Sequence, residues 1–86
     1  MRRSRASDLR AAVEARNPRH IAHVAHRMVG AGRMLGFTAL ADACANVEIA
    51  ARKGDLQTVE GEMCAVRREL ERATQYMRGL AALRGT

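Results

Sequence analysis

His26 is the residue in this chain whose type and setting best suit chemistry. An imidazole with an ordinary pKa near 6.5 is mostly neutral at pH 7, so one ring nitrogen is a nucleophile without an activating base. The sequence around it carries no Ser/His/Asp or Cys/His arrangement. Gly30 and Gly32 follow closely, although each costs a helix roughly 1 kcal/mol relative to alanine. The pattern predicts a lone nucleophile on an open surface, which suits carrying a group better than catalysis.

A helical wheel of the predicted second helix separates the roles of these residues. One side collects the apolar residues and is the predicted core face: Ile21, Val24, Ala25, Met28, Ala31, Gly32 and Leu35. His26 lies roughly 155° from the middle of that face, so it points to water. Gly30 lies one turn later on nearly the same side, where it removes bulk beside the imidazole. Gly32 lies in the core face, where a missing side chain lets a neighbouring helix approach.

Four helices are predicted to position these residues. They cover about residues 7–16, 18–35, 38–53 and 55–82. Asn17, followed by proline, gives the second helix its start, and Gly36 gives its end. Thr38 is expected to cap the third helix, and Asp55 the fourth.

The fourth helix has an apolar residue every three or four positions from Leu56 to Leu80. We expect most of this stripe to be used within the fold. The sequence contains no strand-like alternation, and the links between amphipathic helices are short. The predicted fold is therefore all-α, an antiparallel up-down four-helix bundle in one domain, residues 1–86.

Composition and charge narrow the functional classes. Fourteen Arg and one Lys give a net charge of +6 and a pI near 11.0, which suits nucleic acid or an acidic protein partner. Only residues 2–5 form a basic cluster, and only Phe37 and Tyr76 could stack on bases, so we expect no nucleic-acid partner. No apolar run is long enough to cross a bilayer, and no hydrophobic stretch follows the basic start. We expect a cytoplasmic location without direct membrane contact.

Three histidines spaced three residues apart, His20, His23 and His26, raise the possibility of a metal site. Steps of three residues drift by about 60° around a helix, so the imidazoles fan out instead of converging. The same helix offers no carboxylate within one turn of them. We therefore predict no metal site and no cofactor.

The stretch AHRMVGAGRMLG, residues 25–36, resembles the motif of histidine phosphotransfer (HPt) domains. In that motif the phosphoacceptor His is followed by an apolar residue, Lys, Gly, two small residues and then apolar-Gly. The matching residues are His26, Met28, Gly30, Ala31, Gly32, Leu35 and Gly36. Residues 40–55, LADACANVEIAARKGD, are similar to the third helix and turn of such modules. The resemblance extends from about Ser7 to Ala82.

The resemblance implies a phosphorelay intermediate of a two-component regulatory system. Nε2 of His26 would attack the aspartyl phosphate of a receiver domain, hold the phosphoryl group and pass it to a response regulator. The Mg²⁺ would belong to the receiver, so the module would not be a catalyst on its own. Such modules often form the C-terminal end of a hybrid sensor histidine kinase, and we expect the isolated domain to be a monomer.

One position departs from the motif, because Val29 stands where the family usually has a Lys near the phosphoryl group. Arg33 lies two turns beyond the histidine on nearly the same side. Glu48 and Arg52 fall where the family often places groups bordering the phosphoacceptor. We hypothesise that Arg33 or Arg52 supplies the missing positive charge. The predicted phosphoryl-neighbouring and partner-docking residues are Gly30, Val29, Arg33, Glu48 and Arg52.

Two other classes of protein stay open on the sequence. One is a structural or interaction bundle that binds receiver domains without being phosphorylated, with activity lost together with the lysine at position 29. The other is a helical domain that binds nucleic acid, which requires salt-sensitive binding. Acid-labile phosphate uptake that depends on His26 distinguishes the phosphorelay intermediate from both.

Overall fold

The structure is a computed structural model that describes residues 5–84; the side chains of the basic cluster at 2–5 lie outside the described part. In that part the chain forms four helices and no strand: α1 (Arg5–Glu14), α2 (Pro18–Leu35), α3 (Thr38–Arg52) and α4 (Leu56–Arg84). The predicted all-α four-helix bundle is confirmed. α2 has the predicted bounds, whereas α1 lies two residues earlier than expected at both ends, α3 ends one residue earlier, and α4 begins one residue later and ends two residues later. No described helix is long and apolar enough to cross a membrane.

Local backbone chemistry fixes the links between the helices. The side-chain oxygen of Asn17 accepts a hydrogen bond from the backbone N–H three residues later, at 3.3 Å, and caps α2. Gly36 has a φ of 82°, which favours glycine, and the N–H of Phe37 donates to the carbonyl of Gly32 at 2.8 Å. Asp55 caps α4 by accepting from a backbone N–H at 3.1 Å. The sequence signals for the ends of α2 and the start of α4 therefore act as expected.

Thr38 does not cap α3, contrary to the sequence prediction. It is the first residue of the helix, and Phe37 occupies the cap position without a side-chain hydrogen bond to the helix. The ring of Phe37 packs edge-to-face on Tyr76, with 6.0 Å between the ring centroids. Aromatic packing against α4 therefore holds the start of α3 in place of a hydroxyl cap.

α2 and α3 approach each other closely at Gly32. A Cβ added there would lie 3.3 Å from both the Cβ and the backbone nitrogen of Ala41. The prediction that this glycine lets a neighbouring helix approach is confirmed, and the neighbour is α3. A Cβ added at Gly30 would meet nothing within 4 Å.

Side chains from all four helices form the core, but the core does not extend along the whole of α2 and α4. Leu35 was predicted in the core face, yet it is 63% exposed. The expectation that most of the α4 stripe is used within the bundle is wrong at its second half, where Met77 and Leu80 are exposed. The reason is that α4 is about 43 Å long and α2 about 27 Å, so the end of α4 extends beyond the helices it packs on.

We expect Gly32→Val to lower the free energy of unfolding by about 1–3 kcal/mol, because the new side chain must push α3 away from α2. Gly30→Ala is a matched control in the same helix. Its Cβ meets open space, so higher helix propensity should raise the free energy of unfolding by about 0.5–1 kcal/mol. Urea unfolding followed by circular dichroism measures both changes. A Gly32→Val chain as stable as the parent would contradict the role given to this contact.

Candidate functional site

His26 lies on the outer side of α2, with 68% of its side chain exposed. This outward orientation is the one predicted from the helical wheel. The opposite side of the helix is anchored in the core by Ile21, Ala25 and Met28, all buried. The imidazole is therefore carried on a fixed backbone while its ring remains accessible to another protein.

Glu48 on α3 is the nearest polar partner of this ring. Nδ1 of His26 lies 3.1 Å from Oε2 and 3.3 Å from Oε1 of Glu48. Nε and Nη2 of Arg52, one turn later on α3, donate to the same Oε2 at 3.0 and 2.7 Å. The Glu48 side chain is only 16% exposed. One mostly buried carboxylate thus joins an imidazole and a guanidinium.

The packing of α2 on α3 brings these residues together from 22 positions apart. His26 and Glu48 lie nearly equally far on either side of the turn that links the two helices, as do Gly32 and Ala41. Antiparallel helices place such residues opposite each other. The Gly32–Ala41 contact therefore sets the separation at which the carboxylate of Glu48 meets the imidazole.

The environment of Glu48 keeps its carboxyl group ionised. Partial burial alone acts to raise its pKa. The hydrogen bonds from Arg52 and then from His26, together with the charges of these two side chains, outweigh that effect, so the pKa of Glu48 lies below its ordinary value. At neutral pH the group is a carboxylate that only accepts hydrogen bonds.

This carboxylate selects one tautomer of the neutral imidazole. Because the carboxylate only accepts, the N–H of the ring must be at Nδ1 of His26, where it donates to Glu48. Nε2 then carries a lone pair and no proton. The exposed ring presents this nitrogen to solvent as a nucleophile, which is the chemistry that the sequence predicts for His26.

The other predicted site residues divide into two groups. Gly30 lies one turn after His26 with open space around it, and Arg33 is exposed, with a side chain that makes no hydrogen bond or ion pair within the described part of the chain. Val29 does not lie on this surface, because its side chain is 6% exposed and belongs to the core. Three residues after His26 the helix has turned about 60° toward α3, which removes position 29 from a docking role.

A basic depression beside the site was not identified from the sequence. Its lining includes Arg19, His23, Arg52 and Lys53, from the start of α2 and the end of α3. The signal that could have revealed it is the antiparallel pairing of α2 with α3, which brings the start of one helix beside the end of the other. Among the described residues no group of three His, Cys, Asp or Glu side chains could hold a metal ion.

Comparison with known families identifies the class of protein. A family model described as Hpt domain matches residues 3–76. The match covers α1 to α3 and most of α4, and the chain therefore belongs to the Hpt domain family. Domains of this family act in histidine phosphotransfer within phosphorelays and interact with receiver domains. No curated protein and no solved structure matches this chain.

We expect nitrogen-15 spectra of the imidazole to show the proton of neutral His26 mainly at Nδ1. Glu48→Ala removes the acceptor and should shift the ring toward the other tautomer, whereas Glu48→Gln, whose amide oxygen still accepts, should retain more of the Nδ1–H form. His23 is exposed on the same helix and serves as an internal reference. An unchanged tautomer of His26 in Glu48→Ala would contradict this role of the carboxylate.

The lowered pKa of Glu48 predicts a pH dependence of stability. The folded chain holds this carboxyl ionised more strongly than the unfolded chain does, so the stabilisation is present above the unfolded pKa and is lost as the pH falls through the folded one. The parent should exceed Glu48→Gln by about 1 kcal/mol in free energy of unfolding at pH 7, since both partners are largely exposed. Urea titrations should show this difference shrinking below about pH 4. A difference independent of pH would contradict the prediction.

Proposed function

We propose that this chain is a phosphorelay intermediate in which Nε2 of His26 accepts a phosphoryl group from a receiver-domain aspartate and passes it to a response regulator. The observation that carries the proposal is the exposed imidazole whose Nδ1 is held by the ion-paired carboxylate of Glu48. A bundle that only binds receiver domains would not need a histidine fixed in this way. We also propose that the module works in the cytoplasm, as part of a hybrid sensor histidine kinase.

The arrangement supports an in-line displacement with a simple balance of atoms and charge. The lone pair of Nε2 attacks phosphorus, the N–P bond forms as the P–O bond breaks, and the receiver aspartate leaves as a carboxylate. The imidazole of His26 gains a positive charge and keeps its Nδ1–H, which the carboxylate of Glu48 stabilises. Attack by a second receiver's aspartate reverses these changes. Neutralisation of the phosphoryl oxygens by Mg²⁺ is left to the receiver's acidic site.

The surface around His26 suits an acidic partner. Exposed cations line α2 and the end of α3: Arg19, Arg27, Arg33, Arg52 and Lys53. The carboxylate of Glu48 is mostly buried and already paired, so its negative charge offsets little of the positive charge on this surface. Attraction between a basic patch and an acidic receiver site accelerates encounter and orients the partners. The space at Gly30 lets a bulky partner reach the ring.

Two arginines are candidates for the positive charge that Val29 does not supply. Arg52 is tied to Glu48 on the Nδ1 side of the ring. Arg33 lies about 10 Å further along the axis of α2, and its exposed guanidinium makes no ion pair among the described residues. The two differ in mechanism, because Arg52 acts through the carboxylate and Arg33 would contact the phosphoryl oxygens directly.

We expect the parent chain to take up acid-labile phosphate from receivers phosphorylated with acetyl phosphate, and His26→Gln to take up none. His23→Gln is the matched control, because it removes an exposed histidine from the same helix, and it should retain uptake. Label on His26→Gln would place the phosphoacceptor elsewhere. Receiver binding without label on the parent chain would instead favour the interaction bundle that is not phosphorylated.

We expect Arg33→Ala and Arg52→Ala each to slow phosphotransfer by about tenfold, the scale of one charge-assisted hydrogen bond. Arg67→Ala, an exposed arginine on α4, should leave the rate unchanged. If Arg52 acts through Glu48, its effect should disappear in a Glu48→Ala background, whereas that of Arg33 should persist. Rates unchanged in both single variants would contradict the assignment of the missing charge to these arginines.

A further inference from the structure

Ile49 is an apolar side chain on the otherwise polar outer side of α3. After the first turn of this helix the exposed residues are Asp42, Asn46, Ile49 and Arg52, and Ile49, at 53% exposed, is the apolar one among them. A β-branched residue also lowers helix propensity relative to alanine. Single exposed apolar residues are common on protein surfaces, so the position of Ile49 has to carry any functional argument.

Ile49 lies level with the phosphoacceptor. Glu48, the preceding residue, contacts the imidazole of His26 at 3.1 Å, and one residue advances a helix by about 1.5 Å. Ile49 is turned about 100° from Glu48, and Arg52 lies between the two directions, about 40° from Glu48. We call the surface formed by His26, Glu48, Arg52 and Ile49 the α2–α3 face. It crosses from one helix to the other without a break.

The other large apolar side chains exposed in the described chain lie elsewhere. They are at the end of α2 and on the second half of α4: Met34, Leu35, Tyr76, Met77, Leu80 and Leu83. Even Met34, which shares α2 with His26, is about 12 Å further along the helix and turned about 80° from it, away from α3. Ile49 is therefore the exposed apolar side chain that accompanies the imidazole.

A partner centred on His26 also covers Ile49. A standard interface buries about 800 Å² on each partner, which corresponds to a patch roughly 15 Å in radius. Packed helices lie about 8–10 Å apart, and one helix is about 10 Å across. A patch of this size around the imidazole therefore extends over the outer surface of α3.

We propose that Ile49 is the apolar anchor for the receiver domain, which docks across the α2–α3 face. The receiver then presents apolar side chains roughly 10 Å, about one helix width, from its phosphorylated aspartate. This inference rests on the proposed function for the place where the partner docks, and it adds the residue that determines the affinity. Hpt domains interact with receiver domains, which makes the receiver the partner to consider.

The polar surroundings of Ile49 suit an anchor. Charge on the rim of an interface accelerates encounter and orients the partners but adds little affinity. Affinity comes mainly from a few side chains that lose all contact with water inside a polar rim. On the α2–α3 face Glu48 and Arg52 form an ion pair beside Ile49, and the isoleucine supplies the apolar area that the pair lacks.

The methyl groups of isoleucine give a direct test. The chain contains two isoleucines, Ile21 and Ile49, and Ile21 is completely buried in the core. We use His26→Gln with carbon-13 in its isoleucine δ1 methyl groups and unlabelled receiver domains that acetyl phosphate can phosphorylate. The Ile49 methyl signal should shift and show contacts with receiver protons, while the Ile21 signal serves as the reference. Without His26, no phosphoryl transfer enters the measurement.

Kinetics separate docking from the reactivity of the imidazole. Ile49→Ala should raise the KM for a phosphorylated receiver by about tenfold and change the maximal rate less than twofold. Ile49→Leu should stay near the parent. Leu80→Ala, which removes the same atoms from a half-exposed position on α4, should have no effect.

Phosphoramidate provides a donor that needs no docking surface. Nε2 of His26 attacks its phosphorus, the new N–P bond forms as the old one breaks, and ammonia leaves. Ile49→Ala and the parent should react with phosphoramidate at equal rates. A slower reaction of Ile49→Ala would place Ile49 in the reactive site itself and overturn its role as an anchor.

The outcomes also separate this inference from the relay. An Ile49 methyl signal that saturating receiver leaves unchanged, or a parent-like KM in Ile49→Ala, overturns the anchor while the relay stands. Binding through Ile49 without phosphate on the parent chain overturns the relay and supports the anchor. A chain that neither binds receivers nor accepts phosphate from them overturns both.

Discussion

The separation of α2 and α3 is the constraint on which the site depends. It is set where Gly32 meets the backbone and Cβ of Ala41. At this separation the carboxylate of Glu48 reaches Nδ1 of His26 at 3.1 Å. If the two helices were a few tenths of an ångström further apart, this hydrogen bond would be weaker, because its length is already near the upper end of the usual range. Close packing of α2 on α3 thus lets a carboxylate hold the proton at Nδ1 of a surface histidine.

The two halves of α4, the longest helix, differ in burial. The first half of α4 contributes Val59 and Val66 to the core. The second half continues the same apolar pattern, but after Ala73, its last buried residue among those described, its large apolar side chains are exposed, and Tyr76 makes a ring contact with Phe37. The phosphoacceptor lies on neither half, since it faces away from α4. Changes at the end of α4 are therefore expected to leave the imidazole unaltered.

Much of the fold follows from local signals, and the remaining features depend on distances between helices. The bounds of α2 were predictable because Asn17 and Gly36 act on their own backbone. Leu35 and Met77 were misplaced because periodicity tells which face is apolar, and it carries no information on how far the neighbouring helices extend. The resemblance indicated Glu48, but its contact with Nδ1 depends on packing across two helices. Burial of the side chain at position 29 is likewise a consequence of where α3 lies.

The basic face around His26 also bears on where the phosphoryl group resides at equilibrium. In the proposed relay the phosphoryl group carries a net charge of about −1 from an acidic receiver, whose aspartate recovers its own negative charge, to a surface that carries Arg33, Arg52 and Lys53. On the module the phosphoryl oxygens gain attraction from these cations, which favours the phosphorylated module, whereas on the receiver the Mg²⁺ of the acidic site offers the compensating attraction. Delivery to the second receiver must then be driven by that receiver's own binding of the group. In the proposed relay, the same cations that accelerate encounter would therefore also hold the phosphoryl group on the module.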